Sequence, residues 1–294
     1  EIMAPTAENS MIYSLPKDEE YSCEISAEGY ISAEKHFRAD AGKTITVALV
    51  SAGVAWDGTT KSEPVQENGV YQIANGDELA WFAEQVSSTP SINGKLIANI
   101  NLGGKTWRGF GAYDYRDDAS GFAGTLDGDG YTISGLFGSS GLVDCLAPYG
   151  TIKNLTVEGE ISGSGIIGGI ANTSKGTIEN CVFKGSITNS GYSGTGGIAG
   201  RAIAGNKITG CISTATVKNT YAYYNSELNT GGIAGYTYGT IENCYFTGEV
   251  QADASKTTNK AIGGIAGTVY VAGAIKNSYT IGSVTGPEAG IGAV

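Results

Sequence analysis

The sequence predicts an all-β fold, a right-handed parallel β-helix with a short N-terminal capping helix, preceded by a small antiparallel β unit. Three observations predict it. The first is a phrase that returns four times between Gly168 and Val284. Each copy opens on a Gly-Ile pair (Gly169-Ile170, Gly197-Ile198, Gly232-Ile233, Gly264-Ile265) and reaches Ile-x-Asn-Cys or a near relative (Ile178 to Cys181, Ile208 to Cys211, Ile241 to Cys244, Ile275 to Ser278). Each then closes at Ile187, Val217, Val250 or Val284. A fainter copy, Gly150 to Val157, leads in, and the steps from Ile152 onward are 26, 30, 33 and 34 residues. A fixed phrase at such spacing marks stacked units that bury their apolar faces only against each other.

The second observation is parity. Leu155 and Val157 alternate as a strand does, but the step from Ile152 to Leu155 is three residues, so the chain turns at Asn154. Asn180, Asn243 and Asn277 repeat that corner and Gly210 replaces it once, as expected where the backbone must be left-handed. The third is glycine, 46 residues of 294, which a coil turning every few residues requires. Stacked Ile side chains, at roughly 1.5–3 kcal/mol each, supply the inner ladder.

In chain order, residues 1–52 form the antiparallel module. Tyr21 to Ser26 alternates, Ala27 to Tyr30 is turn-like, and Thr44 to Val50 alternates again. His36, the single histidine, falls in the middle strand as a surface or packing residue. Residues 53–65 read as a linker, and residues 66–294 as the solenoid, open or truncated at its C-terminal end. Within it Asn68 to Ile73 is a strand. Asn75 to Glu78 has capping-box spacing before Leu79, Phe82, Ala83 and Val86 at helical intervals, which makes a short helix placed to cover the open first coil; Trp81 belongs to that lid. Lys95 to Leu102 and Phe122 to Leu136 are the first rungs, with a longer loop, Gly111 to Asp118, between them.

Composition narrows function. Charged residues are 16% and the formal net charge is −11, which argues against nucleic acid and anionic membrane as partners. No apolar run reaches the roughly 20 residues of a membrane span, so membrane insertion is not expected. A start at Glu1 without Met, and an end at Gly290 to Val294 like a further Gly-Ile opening, lead us to expect an excised piece of a longer protein, monomeric as an isolated fragment. Of five cysteines, Cys181, Cys211 and Cys244 share one repeat position; Cys23 and Cys145 do not. In-register side chains point in parallel, a poor geometry for a disulfide, and with no CxxC and one His a zinc site is not expected. Buried free thiols are the reading.

The Gly-Gly-Ile-Ala-Gly and Gly-Thr-Ile-Glu-Asn-Cys phrases, with Tyr71-Gln-Ile, Glu78 to Ala83 and Asp127 to Leu136, resemble the GLUG-type repeats of large bacterial surface proteins over about residues 66 to 294. Such repeats also accompany some secreted immunoglobulin A peptidases and haemagglutinin-like adhesins. The first 52 residues are similar to small Ig-like or carboxypeptidase-regulatory-like modules, through Glu28 to Tyr30. The resemblance implies an extracellular setting, at a bacterial cell surface or secreted. It carries over no catalytic residue.

The repeats lengthen mainly after the closing Val or Ile, where Thr188 to Thr195, Lys218 to Thr230 and Gln251 to Lys260 are inserted; by repeat logic these loops share one corner. Their tyrosines, Tyr192, Tyr221, Tyr223 and Tyr224, are the candidate ligand-binding residues, each offering a flat apolar face and a hydroxyl to sugar or protein, against the plainer role of covering the corner. Tyr236, Tyr238 and Tyr270 form a second set with the same two readings. Asp127 and Asp129 are weak candidates for calcium, against a tight Asp-Gly turn; no other cofactor is implied. The expected function is a non-enzymatic, adhesin-like module for a host or environmental glycan or protein. The alternatives are a structural stalk or spacer and a β-helix polysaccharide lyase or glycosidase, whose carboxylates would have to come from the Asp114 to Asp118 loop with Asp127 and Asp129.

Overall fold

The structure, a computed structural model, describes residues 19–25, 30–31, 33–38, 50–114, 120–191, 193–203, 205–221, 227–252, 259–286 and 291–292. The chain divides into two compact units, Glu1–Ser51 and Ala52–Val294. In the first, Glu20–Ile25 pairs antiparallel with Ala33–Arg38, placing His36 opposite Ser22, and Tyr30–Ile31 pairs antiparallel with Val50–Ser51. The rings of Tyr21 and Phe37 stack at 6.0 Å. Of the expected strand Thr44 to Val50 and the turn Ala27 to Tyr30, residues 44–49 and 27–29 lie outside the described residues.

The second unit is a parallel β-solenoid. One sheet carries the Ile-x-Asn phrase: Thr125–Asp127, Thr151–Lys153, Thr177–Glu179, Lys207–Thr209, Thr240–Glu242 and Ala274–Lys276 stack in parallel register. Leu126, Ile152, Ile178, Ile208 and Ile241 are fully buried in one ladder. After the corner a second sheet stacks Val157, Phe183, Ser213, Phe246 and Thr280 in one row, and Ile161, Ile187, Val217, Val250 and Val284 in another. Two short five-stranded sheets close each coil, one through Thr195–Gly196 and its equivalents, the other through Ala199–Ala202 and its equivalents.

The corner residues behave as their type requires. Asn154, Asn180, Asn243 and Asn277 have φ of 53°, 51°, 55° and 46°, and Gly210 in the same place has 63°. The Asn180 amide donates to Asn154 Oδ1 at 3.2 Å, so the corners also bond to one another. The Gly-Gly-Ile-Ala-Gly phrase has an equally concrete cause. Its Ile points inward, Ile170, Ile198, Ile233 and Ile265 being fully buried. Its second glycine faces the core side chain of the second sheet: a Cβ on Gly169 would fall 2.3 Å from Phe183, and one on Gly232 2.2 Å from Phe246. The backbone reverses there with a neighbouring coil pressed against it, so a methyl has no room.

The first coil is covered as expected. Helix Gly76–Gln85 starts at N-cap Asn75, whose Oδ1 accepts from Glu78 N–H at 3.0 Å, while Glu78 accepts from Ala74 N–H at 2.6 Å. Leu79 and Phe82 are fully buried, and the Phe82 ring meets Phe110 and Phe122 edge-on at 6.1 and 5.9 Å. Trp81 packs beside Tyr71 at 5.2 Å.

Two readings need correction. Residues 53–65 are not a free linker: Trp56 is buried, lies 5.8 Å from Trp107 edge to face, and its N–H donates to Asn101 O, so the segment packs into the solenoid. The inserted segments are not loops from their first residue. The second-sheet strands run on to Asn189, Asn219 and Ala252, and Glu227–Gly231 pairs in parallel with Asn259–Gly263. Backbone groups at that depth need ladder partners, and stacking successive insertions provides them.

Candidate binding site

The tyrosines expected on the inserted segments divide. Tyr192, Tyr223 and Tyr224 lie outside the described residues. Tyr221 is half-buried and packs against the core, and its N–H donates to Asn219 Oδ1 at 2.9 Å. Beneath it Asn189 and Asn219 are fully buried, both donating to Thr195 Oγ1, at 2.7 and 3.1 Å. The Tyr221 ring thus covers the corner of the coil.

Asp127 and Asp129 form a tight turn. Asp129 has φ 48° and donates its N–H to Asp127 Oδ1 at 3.0 Å. Lys153 lies 3.1 Å from Asp127 and Lys95 2.9 Å from Asp129, so each carboxylate already faces an ammonium. Burial pushes the Asp127 carboxyl up, but the Asp129 N–H, the Asn154 amide and Lys153 outweigh it and hold it below the usual range. Among the described residues no group of three His, Cys, Asp or Glu converges as a metal would need. Asp114 and Ser120 bond to one another at the base of the expected acidic loop, whose Asp117 and Asp118 lie outside the described residues.

The thiols Cys181, Cys211 and Cys244 are free, buried and stacked. Cys181 N–H donates to Cys211 Sγ at 3.5 Å and Cys211 N–H to Cys244 Sγ at 3.3 Å, with Ser278 Oγ completing the column. Burial pushes Cys211 well above the ordinary thiol value, which suits small core hydrophobes.

The second tyrosine set does assemble. Tyr238 and Tyr270, on successive coils, stack at 4.2 Å and 4°, and Tyr236 meets them edge-on at 6.1 and 5.7 Å. Tyr238 is 36% exposed. The strand register explains the grouping: Thr173, Arg201, Tyr236 and Thr268 form one row across four coils. Two residues further on, the sequence places Lys175, Ile203, Tyr238 and Tyr270 in equivalent positions. Beside the tyrosines stands Arg201, its guanidinium 4.8 Å from the centre of the Tyr113 ring, with Lys175 Nζ 5.3 Å from the same ring. Tyr113 reaches them from the loop after the first rung, its N–H on Asp144 Oδ2 at 3.4 Å. Asp144 also accepts from the Asn172 amide at 3.0 Å.

Burial disfavours the Arg201 charge, but the phenol oxygens of Tyr236 and Tyr113 outweigh it and hold its pKa above the ordinary guanidinium value. Nearby Cys145 reports the same neighbourhood. Burial pushes its thiol up to about 11, with Lys175 and Arg201 opposing and Asp144 adding. Sequence reasoning found Tyr236, Tyr238 and Tyr270 but missed Arg201, Lys175 and Tyr113. The signal for Arg201 was present: it follows Gly-Ile-Ala-Gly in a column otherwise held by Thr173, Tyr236 and Thr268, a position that varies while its neighbours repeat.

The coils are built on the Gly-Gly-Ile-Ala-Gly and Ile-Glu-Asn-Cys phrases, and one of them matches a known repeat. Residues 226–251 match the family model described as the GLUG motif. The chain is 32% identical over 186 residues to halomucin of Haloquadratum walsbyi, covering 56% of this chain and 2% of that protein. It is 30% identical over 165 residues to an immunoglobulin A1 protease of Streptococcus sanguinis, covering 55% of this chain and 9% of that protein. The chain therefore spans a small fraction of either relative. No solved structure matches it significantly. No helix among the described residues is long and apolar enough to cross a membrane.

Proposed function

We propose that this chain is an extracellular, adhesin-like binding module of a surface or secreted protein, which holds a glycan or protein ligand on the tyrosine patch of its short outer sheet. The observation that carries the reading is the grouping of Tyr236, Tyr238 and Tyr270 from two coils into one half-exposed aromatic cluster. The core does not need these rings, because the inward positions of the same coils are filled by Ile233, Ala234 and Ile265. Flat phenols with a hydroxyl suit sugar faces and protein hot spots alike. The names of the relatives, halomucin and an immunoglobulin A1 protease, fit a setting outside the cell. Single sites of this kind bind weakly, and many copies on one surface would give avidity.

Binding is preferred to glycoside cleavage because Asp127 and Asp129 are each engaged by a lysine. A spacer role is the second reading, favoured by the stacked inward ladder from Leu126 to Ile241 and the repeated left-handed corners from Asn154 to Asn277. The test is a glycan and mucin array with the whole chain, beside Tyr238→Ala/Tyr270→Ala and Tyr221→Ala/Tyr223→Ala/Tyr224→Ala, with sugar release assayed on the same panel. Binding lost in the first variant with its melting unchanged supports the patch. Loss only in the second moves the site to the inserted segments, and no binding by the parent chain leaves the spacer or a protein ligand.

A further inference from the structure

Resting on that binding reading, the geometry points to a ligand class: a carboxylate-bearing sugar, whose carboxylate pairs with Arg201 while its ring lies against the tyrosines. Arg201 is half-buried at the centre of the patch. Its Nη2 donates to Thr173 Oγ1 at 3.3 Å, it lies over the Tyr113 ring, and Tyr236 is its neighbour in the same row. Every one of these partners is neutral. Among the described residues no carboxylate forms an ion pair with Arg201, and its buried Nε has no hydrogen-bond partner. The ion-paired lysines contrast with it: Lys61, Lys95, Lys153 and Lys184 each meet a carboxylate on the solenoid surface.

A guanidinium taken partly out of water loses hydration that hydroxyls and a π-face restore only in part, and its five-donor fork is complementary to a carboxylate. The neighbouring acid, Asp144, is held by neutral donors, the Asn172 amide and the Tyr113 N–H. Lys175, only 6% exposed, adds a second cation over the same Tyr113 ring. Two cations meeting on one ring stand out in a chain of net charge −11. The overall charge repels an acidic ligand at long range, but beyond about 8–10 Å salt screens that repulsion, so short-range pairing decides. The tyrosine cluster adjoining Arg201 supplies the flat surface that a pyranose ring covers.

Uronate units within a polysaccharide and a terminal sialate both offer this chemistry. The experiment measures binding of the whole chain to polygalacturonate and to its carboxyl-reduced form, and to sialyllactose and lactose, with Arg201→Lys alongside. The expected result is at least tenfold tighter binding of one acidic form than of its neutral counterpart. Arg201→Lys, which keeps the charge and loses the fork, is expected to lose about tenfold on the acidic form only. The pair that discriminates identifies the source. Equal binding of acidic and neutral forms, unchanged in Arg201→Lys, overturns this inference and leaves the binding reading standing. No binding to any of the four, with a glycan array also blank, overturns this inference together with the glycan arm of the binding reading. The comparison of ligands with and without the carboxylate stands even if the variant folds poorly.

Discussion

The ring of Phe246 lies against the bare Cα of Gly232, so close that an added Cβ would fall 2.2 Å from it and as close to the Gly264 carbonyl. This relationship joins the two halves of the repeat. The Gly-Gly-Ile-Ala-Gly phrase is glycine-rich because the Ile-Glu-Asn-Cys phrase ends by aiming a side chain at it. Gly232→Ala is accordingly expected to cost about 3 kcal/mol, the upper end for overpacking against ring and backbone together. Gly264→Ala, whose nearest contacts are all on the Thr280 side chain, should cost about 1 kcal/mol. Urea unfolding of both variants checks the order; equal losses would refute it.

The corner asparagines are held at φ near 50°. Asn243→Ala should lose about 1–2 kcal/mol, the cost of placing an alanine in the left-handed region, whereas Asn243→Gly should be nearly neutral. Gly210 in the equivalent corner is the natural control. Thermal melts of the two variants decide it, and equal losses for glycine and alanine would mean that the side chain, which both remove, matters more than the backbone.

The Cys145 thiol is raised from 9.0 to about 11. A group whose neutral form is favoured in the native state contributes stability that is full below the unfolded value and lost as pH rises through the folded one. Stability should be level with respect to this group up to about pH 8, then fall between pH 9 and 11. Cys145→Ala should flatten that fall without abolishing it, since Cys211 shifts in the same direction. A slope identical to that of the parent chain would remove Cys145 from the account.

Calcium should leave the fold unchanged. Asp127 and Asp129 would have to release Lys153 and Lys95 to share a cation, and no third acidic ligand converges on them among the described residues. Melting temperatures in millimolar calcium and in excess chelator are expected to agree. A rise with calcium would reverse the assignment of this turn.

Phe82 seals the first coil against Phe110 and Phe122. Phe82→Ala should cost about 3–5 kcal/mol, as a buried ring does. A loss near zero in chemical denaturation would show that the helix is ornamental to the solenoid's stability.

The sequence alone determined the coil: its corners, its inward ladders and its helical lid. In a stacked repeat the spatial neighbour of a residue is the same column one coil away, so Ile178 meets Ile152 and Ile208, and Asn180 meets Asn154, by periodicity alone. The backbone conformation at Asn243 was legible for a similar reason, because it depends on residue type and local parity. Tertiary structure decided what lies between columns. Tyr113 comes from a loop outside the repeat and reaches Lys175 and Arg201 across coils, a meeting that no periodicity encodes. Which outward tyrosines cluster was equally unreadable. Tyr221 turns onto the core while Tyr236, Tyr238 and Tyr270 gather, because an outward side chain is placed by the depth and direction of the strand that carries it, not by its type.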